Sequence, residues 1–484
     1  MASKKELVEA QSFSRRRLLT AFVSGAPGGR ELEPTSPVRG VVAGVVLAVL
    51  VVAGGLASGL LNRGLPDGWE NGRIMLVGDN AARYVTDDGQ LVPILNMASA
   101  RLLVEPGAPI HTVRASLVEG IPVLAPAGII GAPDNLPGTD RLVDDGWQAC
   151  LALDGGTATS LGGANGAGSG DADASSGAEA DSDAAVAAPA GPPASTLALV
   201  GDQVHLVQGG YSYLLGGGEE QSGLLRELGF GPDSPRPARE EWLALFTPGQ
   251  TLTPFLPEGV GDVPAGALGE IAGVTVGTVV QREETGQEYV ALADGRLAPL
   301  NSFTAAIYRT APGVGAPVPV PANALASVAD VPAAETPFPD DWPDELGVPL
   351  TDAQPACAEL RVADFGATLI AGEGEVAERY GVTVAQGGGA LALFAAEADT
   401  TSGPVRFVDE NGTAYAVEAS GGSTRQDALN RLFSTGGSDV VVPVVVPYAW
   451  GDLFESGPTL SIEAAQLSRT EVPAADAASE GSTP

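Results

Sequence analysis

Lysine is almost missing from this chain: Lys4 and Lys5 are its two copies, and none follows them. That excludes a P-loop, whose lysine must follow the Gly-rich turn to reach the β and γ phosphates. Histidine is as scarce, with His111 and His205 alone, so a zinc hydrolase lacks its ligands and a Ser-His-Asp triad has only these two to draw on. No G-x-S-x-G elbow is present. The two cysteines, Cys150 and Cys357, form no C-x-x-C motif and support neither metal binding nor thiol redox chemistry. Positive charge is short as well, 25 Lys and Arg against 60 Asp and Glu. Carboxylates that abundant carry no signature of a catalytic pair. The residues therefore point to no catalytic site, no bound cofactor and no metal.

Long apolar runs are missing with one exception, the 22 uncharged residues from Gly40 to Leu61 between Arg39 and Arg63. At about 1.5 Å per residue a helix of that length matches a hydrocarbon core of about 30 Å. The sequence thus predicts one N-terminal transmembrane helix at 40–61, after a basic tail at 1–39. Seven basic residues against four acidic ones in the tail place the N-terminus in the cytoplasm, although the charges flanking the run are balanced. Beyond Leu61, 18 arginines face 56 acidic residues, a net charge of −38 that repels nucleic acid and anionic headgroups. A cleaved twin-arginine signal around Arg15, Arg16 and Arg17 is the competing reading. A signal's apolar core is shorter, roughly 7 to 15 residues, and follows its arginines closely, which favours an uncleaved anchor. The stretch Lys4 to Val23 then either lies along the inner leaflet or binds a cytoplasmic partner through Arg15, Arg16 and Arg17.

The part beyond the run is too long for a single ordinary core. Within it, 154–193 is Gly, Ala, Ser and Asp without an aromatic residue, a flexible linker; Asp171 and Asp173 lack the further ligands of a calcium loop. The end, 471–484, is expected to be unstructured. Internal repetition sets the architecture. Trp242, Leu245, Phe246, Gly249, Thr251 and Leu252 return as Trp450, Leu453, Phe454, Gly457, Thr459 and Leu460, at a spacing of 208, and Gly89 returns as Gly295 at 206. Short apolar strands around a Gly turn occur at Tyr84–Pro93, His205–Tyr213, Tyr289–Pro299 and Phe407–Val417, each followed by helical spacing. Strand-rich segments at Ile271–Val280 and Val440–Val446 lie between. The expected fold is α+β: an elongated, antiparallel β-rich exported domain of four hairpin-plus-helix repeats in two pseudo-symmetric halves. The first half holds repeat 1 (62–153), the linker and repeat 2 (194–265). Repeat 3 with central strands occupies 266–360, and repeat 4 with closing strands 361–470.

Cys150 and Cys357 are 207 apart, the repeat period, so they occupy equivalent positions in the two halves. In an exported domain such a pair readily forms a disulfide, here on or near the pseudo-two-fold axis; two buried thiols are the alternative.

Taken together, the segment Glu9–Leu19, the segment Tyr84–Leu103 with Pro93-Ile-Leu-Asn96 and Ala98-Ser-Ala-Arg101-Leu102, the paired cysteines and the fourfold repeat resemble the EccB membrane components of the type VII (ESX) secretion systems of actinobacteria. The resemblance implies a structural core subunit of the inner-membrane secretion complex, with its exported domain on the periplasmic side, self-associating and disulfide-bonded. It implies as partners a motor ATPase, a multispanning channel protein and a further membrane subunit. An ATPase label also attaches to the family, and ATP enters as a cofactor only by that label. Two other readings stand beside the scaffold: ATP hydrolysis without a P-loop, and a cell-wall polymer-binding module that presents Trp242 and Trp450 as sugar platforms.

Overall fold

The computed structural model describes residues 3–24, 38–61, 64–162, 193–332, 335–434 and 440–467. The chain divides into two units, 1–67 and 68–484. In the first, α1 (Lys4–Ser24) and α2 (Val38–Leu61) are helical. The expectation of a transmembrane helix at 40–61 is corrected: among the described residues no helix is long and apolar enough to cross a membrane. The side chains of α2 are described only over 41–53, short of the roughly 20 apolar residues a span requires.

The second unit uses one motif four times around a central sheet. In the first module β1 (Ile74–Val77), β2 (Arg83–Asp87) and β3 (Gln90–Pro93) form an antiparallel meander, α3 (Met97–Leu103) crosses back, and β4 (Ile110–Val113) pairs parallel to β1. A short helix α4 (Ala115–Val118) leads to the hairpin of β5 (Gln148–Leu151) and β6 (Thr157–Leu161). The second module repeats the path with β7 (Ala194–Val200), β8 (Gln203–Gln208), β9 (Tyr211–Leu214), α5 (Glu219–Glu227) and β10 (Arg236–Pro237), then adds α6 (Glu240–Leu243) and β11 (Thr247–Pro248). In the third, β12 (Val279–Arg282), β13 (Glu288–Ala291) and β14 (Leu297–Leu300) precede α7 (Ser302–Arg309) and the parallel β15 (Val318–Val320). After β16 (Val348–Pro349), which joins β7, the central strands β17 (Ala356–Arg361), β18 (Gly366–Ala371) and β19 (Gly381–Val384) follow. The fourth module comprises β20 (Ala390–Ala395), β21 (Val405–Val408), β22 (Thr413–Val417), α8 (Arg425–Phe433), β23 (Val444–Pro447) and β24 (Glu455–Ser456), and α9 (Ile462–Gln466) comes last.

The α+β class stands, but the sheets are mixed rather than antiparallel. Each module's fourth strand arrives through a helix that crosses the sheet, and a crossover delivers the chain back in its starting direction. Two expected strand segments are shorter than the sequence suggests: Ile271–Val280 contributes only the start of β12, and Val440–Val446 becomes a strand from Val444 onward. Within the expected linker, Thr157–Leu161 is strand β6, where Thr159 and Leu161 are buried in alternation. The remainder, 163–192, and the expected tail at 471–484 lie outside the described residues, as do Asp171 and Asp173.

Turn chemistry explains the hairpins. Asp88 and Gly89 both sit at positive φ, 45° and 72°, the pair of left-handed residues that a two-residue turn needs to match the twist of its strands. Gly412, at φ 80°, approaches β19 so closely that a Cβ would run into Val382. Below that turn Asp409 is 4% exposed, yet its carboxylate accepts from the Asn411 and Thr413 amides and from the Tyr415 hydroxyl, so burial leaves it satisfied.

The modules pair across the two halves. Ala98 and Leu102 of α3 share a core with Leu429, Leu432 and Phe433 of α8 and Ala465 of α9, joining the first module to the fourth. Phe303 and Ile307 of α7 share another with Leu224 and Leu228, joining the third to the second. Between these lobes the central sheet runs β18-β17-β5-β6-β19 and packs against the largest core.

Candidate functional site

The centre of that sheet is where the two halves meet. β5 and β17 pair antiparallel with Cys150 opposite Cys357, Ala149 opposite Ala358 and Gln148 opposite Glu359. Because the cysteines are both partners in register and 207 apart in sequence, the internal two-fold axis runs between them. They are bonded, with an S–S distance of 2.04 Å and Cα atoms 3.9 Å apart. Cys357 is fully buried and Cys150 half-buried. Gly372 makes room for the bond, since a Cβ there would run into Sγ of Cys357. Of the two readings left open by the sequence, the structure therefore has the disulfide.

The repeated tryptophans are buried against the face of the central sheet opposite the bond, in the core of Ala149, Ala356 and Ala358, and not at the surface. Trp242 and Trp450 are both 0% exposed, which overturns their reading as sugar platforms. Alanines on the central strands, Ala149, Ala356 and Ala358, leave the depth that the indoles fill. Trp242 donates through Nε1 to the Ala149 carbonyl at 2.8 Å, tying the second module to β5. Trp450 meets Trp147 edge to face at 6.1 Å, and Trp147 meets Phe454 at 5.8 Å. What W-x-x-L-F repeats is thus a wedge that fixes each half to the shared sheet.

Arg15, Arg16 and Arg17 lie on α1 of the first unit, and all three are exposed. As consecutive helical residues about 100° apart, they spread their charge around the helix and do not converge on one point. His111 and His205 fall on separate strands, β4 and β8, and burial lowers the pKa of His205. Tyr308 is pushed up to about 12 by burial, with its hydroxyl donating to the Gly277 carbonyl at 2.9 Å. Tyr213 is raised further, first by burial and then by Asp341, and donates to the Asp341 carbonyl at 2.6 Å. These shifts belong to buried phenols that hold loops. Among the described residues no group of three or more His, Cys, Asp or Glu is placed to hold a metal ion.

One arrangement left no trace in the sequence. At the contact between the first and fourth modules, Arg101 of α3 donates to the Leu432 carbonyl at the end of α8, while Arg431 of α8 donates to the Leu102 and Val104 carbonyls at the end of α3. Each helix is capped by the other's arginine, where cations suit the negative end of the helix. The two residues are 330 positions apart, so no local pattern links them.

Fold and centre together define a duplicated scaffold whose halves exchange modules and are cross-linked at their common axis. The family model described as "Type VII secretion system ESX-1, transport TM domain B" matches residues 1–474, and the chain belongs to this family, that of the EccB components of ESX secretion systems. The protein named ESX-3 secretion system ATPase EccB3, from Mycobacterium tuberculosis (strain ATCC 25618 / H37Rv), is 26% identical over 469 residues, covering 87% of this chain and 81% of its own length. Two solved structures share the fold. A chain of an intact ESX-5 inner membrane complex matches with a TM-score of 0.60 at 19% identity, over 100% of this chain and 98% of its own. A chain of the EccB3 dimer from the ESX-3 core complex matches at 0.58 and 22% identity, over 82% of this chain and 100% of its own.

Proposed function

We propose that this chain is a structural core subunit of a type VII (ESX) secretion complex in the inner membrane, with its second unit scaffolding the periplasmic side. The observation that carries the reading is the Cys150–Cys357 bond on the internal axis. Such a bond forms and persists in an oxidising compartment outside the cytoplasm, and it serves a body that must hold its shape. Self-association and contact with other subunits, including a motor ATPase and a multispanning channel protein, complete the proposal, with Arg15, Arg16 and Arg17 on α1 as a docking element. The word ATPase in the relatives' names supplies the second reading, hydrolysis without a P-loop. A chain with no lysine after Lys5 favours the scaffold.

The test is recovery of the native complex on a tagged copy of the full chain. Replacing Arg15, Arg16 and Arg17 by glutamate is expected to reduce the co-purifying subunits several-fold while leaving the chain's own yield intact. Undiminished recovery would remove the docking role. Saturable ATP hydrolysis by the purified full chain, abolished by a point substitution, would overturn the scaffold reading in favour of the second.

A further inference from the structure

Each module ends its sheet on a closing strand, β4, β10, β15 or β23, whose outer side pairs with no strand among the described residues. Three of the four place proline there. In β10 the Ala238 amide donates to the Leu199 carbonyl, so Arg236 and Ala238 face β7 and Pro237 faces out. In β15 the Val320 carbonyl accepts from the Glu283 amide, so Val318 and Val320 face β12 and Pro319 faces out. β23 follows Pro443 and ends on Pro447. Proline has no N–H to offer an approaching strand, which protects an open edge.

β4 is built the other way. Its Val113 carbonyl accepts from the Gly78 amide, which turns His111 and Val113 toward β1 and leaves Ile110 and Thr112 facing out. Both are exposed, Ile110 to 45%, and each carries an N–H and a C=O. We propose that this edge pairs with β4 of a second copy of the chain, antiparallel about a two-fold axis at His111, so that two four-stranded sheets become one. This seam rests on the self-association proposed for the chain and gives it a location.

The edge is complementary to itself. With His111 opposite its mate, the Ile110 amide donates to the copy's Thr112 carbonyl and the Thr112 amide to the copy's Ile110 carbonyl, and the two-fold repeats both bonds. Every outward group of the two residues is then satisfied by the same two residues of the other copy. Charge permits the approach. The chain beyond Leu61 carries −38 and repels its own copy, but residues 106–113 include no Asp, Glu, Lys or Arg, so no like charges meet across the seam.

The experiment places a single cysteine on the edge of the purified full chain, whose two native cysteines are bonded to each other. With diamide as oxidant, His111→Cys is expected to give a covalent dimer, because facing residues at a non-hydrogen-bonded site have Cα atoms about 4.5 Å apart, within disulfide reach. Thr112→Cys should give about tenfold less, since it lies diagonal to its mate at about 7 to 8 Å. Light scattering reads the seam without a cross-link. Thr112→Pro, which copies the protection of the other modules, should halve the wild-type mass, with an unchanged thermal midpoint to show that the fold is kept. Should that variant not fold, the cysteine pair decides alone. Equal cross-linking at 111 and 112, no covalent dimer at 111, or an undiminished mass in folded Thr112→Pro overturns the seam, and in the last case self-association itself stands. A wild type that is monomeric overturns both, and loss of another subunit from Thr112→Pro would then give the edge to that partner.

Discussion

A single sulfur bond fixes how the two halves meet, and its neighbours show how closely the chain is fitted to it. Gly372 stands where any side chain would strike Cys357, and the neighbouring register pair Ala149 and Ala358 turns to the opposite face, so the bond ties the two central strands on the side away from the tryptophan core. Cutting it releases a loop of 207 residues in the unfolded chain, which the chain-entropy model makes worth about 5 kcal/mol. Cys150→Ser and Cys357→Ser are therefore expected to lose similar stability in guanidinium unfolding without reductant, and the double variant no more than either single one. Additive losses would mean that each residue acts through its own packing. Alkylation of both thiols in the native, unreduced protein would sink the bond altogether. This much of the centre could be read in advance, because a spacing equal to the repeat period is visible in the sequence. Arg101 and Arg431 could not be, since only the crossing of modules brings them together.

At the scale of the element, helix ends do much of the specification. Asn96, Asn301, Thr424 and Ser461 each accept from the amide three residues on, and at α7 and α8 the third residue's side chain answers back to the cap. At α8 the reply comes from Asp427, whose carboxyl is held below its usual range by hydrogen bonds from the Thr424 amide and hydroxyl. A carboxyl with a depressed folded pKa stabilises above its unfolded value, near 3.8, and loses that contribution as pH falls through the folded value. Thr424→Ala should thus cost about 1 kcal/mol at pH 7. Asp427→Asn should flatten the fall in thermal midpoint below about pH 4, and equal acid slopes in wild type and variant would exclude the box as a source of pH dependence. Hairpins were legible for the same local reason that caps are: Asp88-Gly89 states its backbone conformation in two residues, while Asn411-Gly412 marks a turn that runs over the four residues 409–412 with only Gly412 left-handed. The closing strands were not. Ile110–Val113 has two polar residues in four, and Val318–Val320 is set among prolines at 317, 319 and 321, which sequence patterns read against a strand. Parallel pairing to a partner some 35 residues away rescues both.

For the second unit as a whole, the decisive property is that its halves are not separate domains. Duplication would let each half pair its own two modules, but the first module shares its core with the fourth, and the third with the second. The central sheet interleaves the halves as well, with β5 and β6 of the first lying between β17 and β19 of the second. The disulfide is therefore a lock on an assembly that side-chain packing already closes. This predicts the outcome of cutting the chain within 163–192, by a sequence-specific protease acting on an inserted site. The N-terminal fragment carries α3, β5 and β6, and its attachment includes Ala98 and Leu102 in the fourth module's core, the exchanged Arg101 and Arg431 caps, Trp147 against Trp450 and Phe454, two interstrand ladders, and the Trp242 bond to the Ala149 carbonyl. Burial of that kind, at about 25 cal/mol per Å² of apolar surface, holds without a covalent link. The fragments should co-elute on gel filtration in reductant, and should do so equally on a Cys150→Ser, Cys357→Ser background, with only the unfolding midpoint lowered. Separation of the fragments once the bond is reduced would mean that the cross-link, and not the exchange of modules, makes the unit one body.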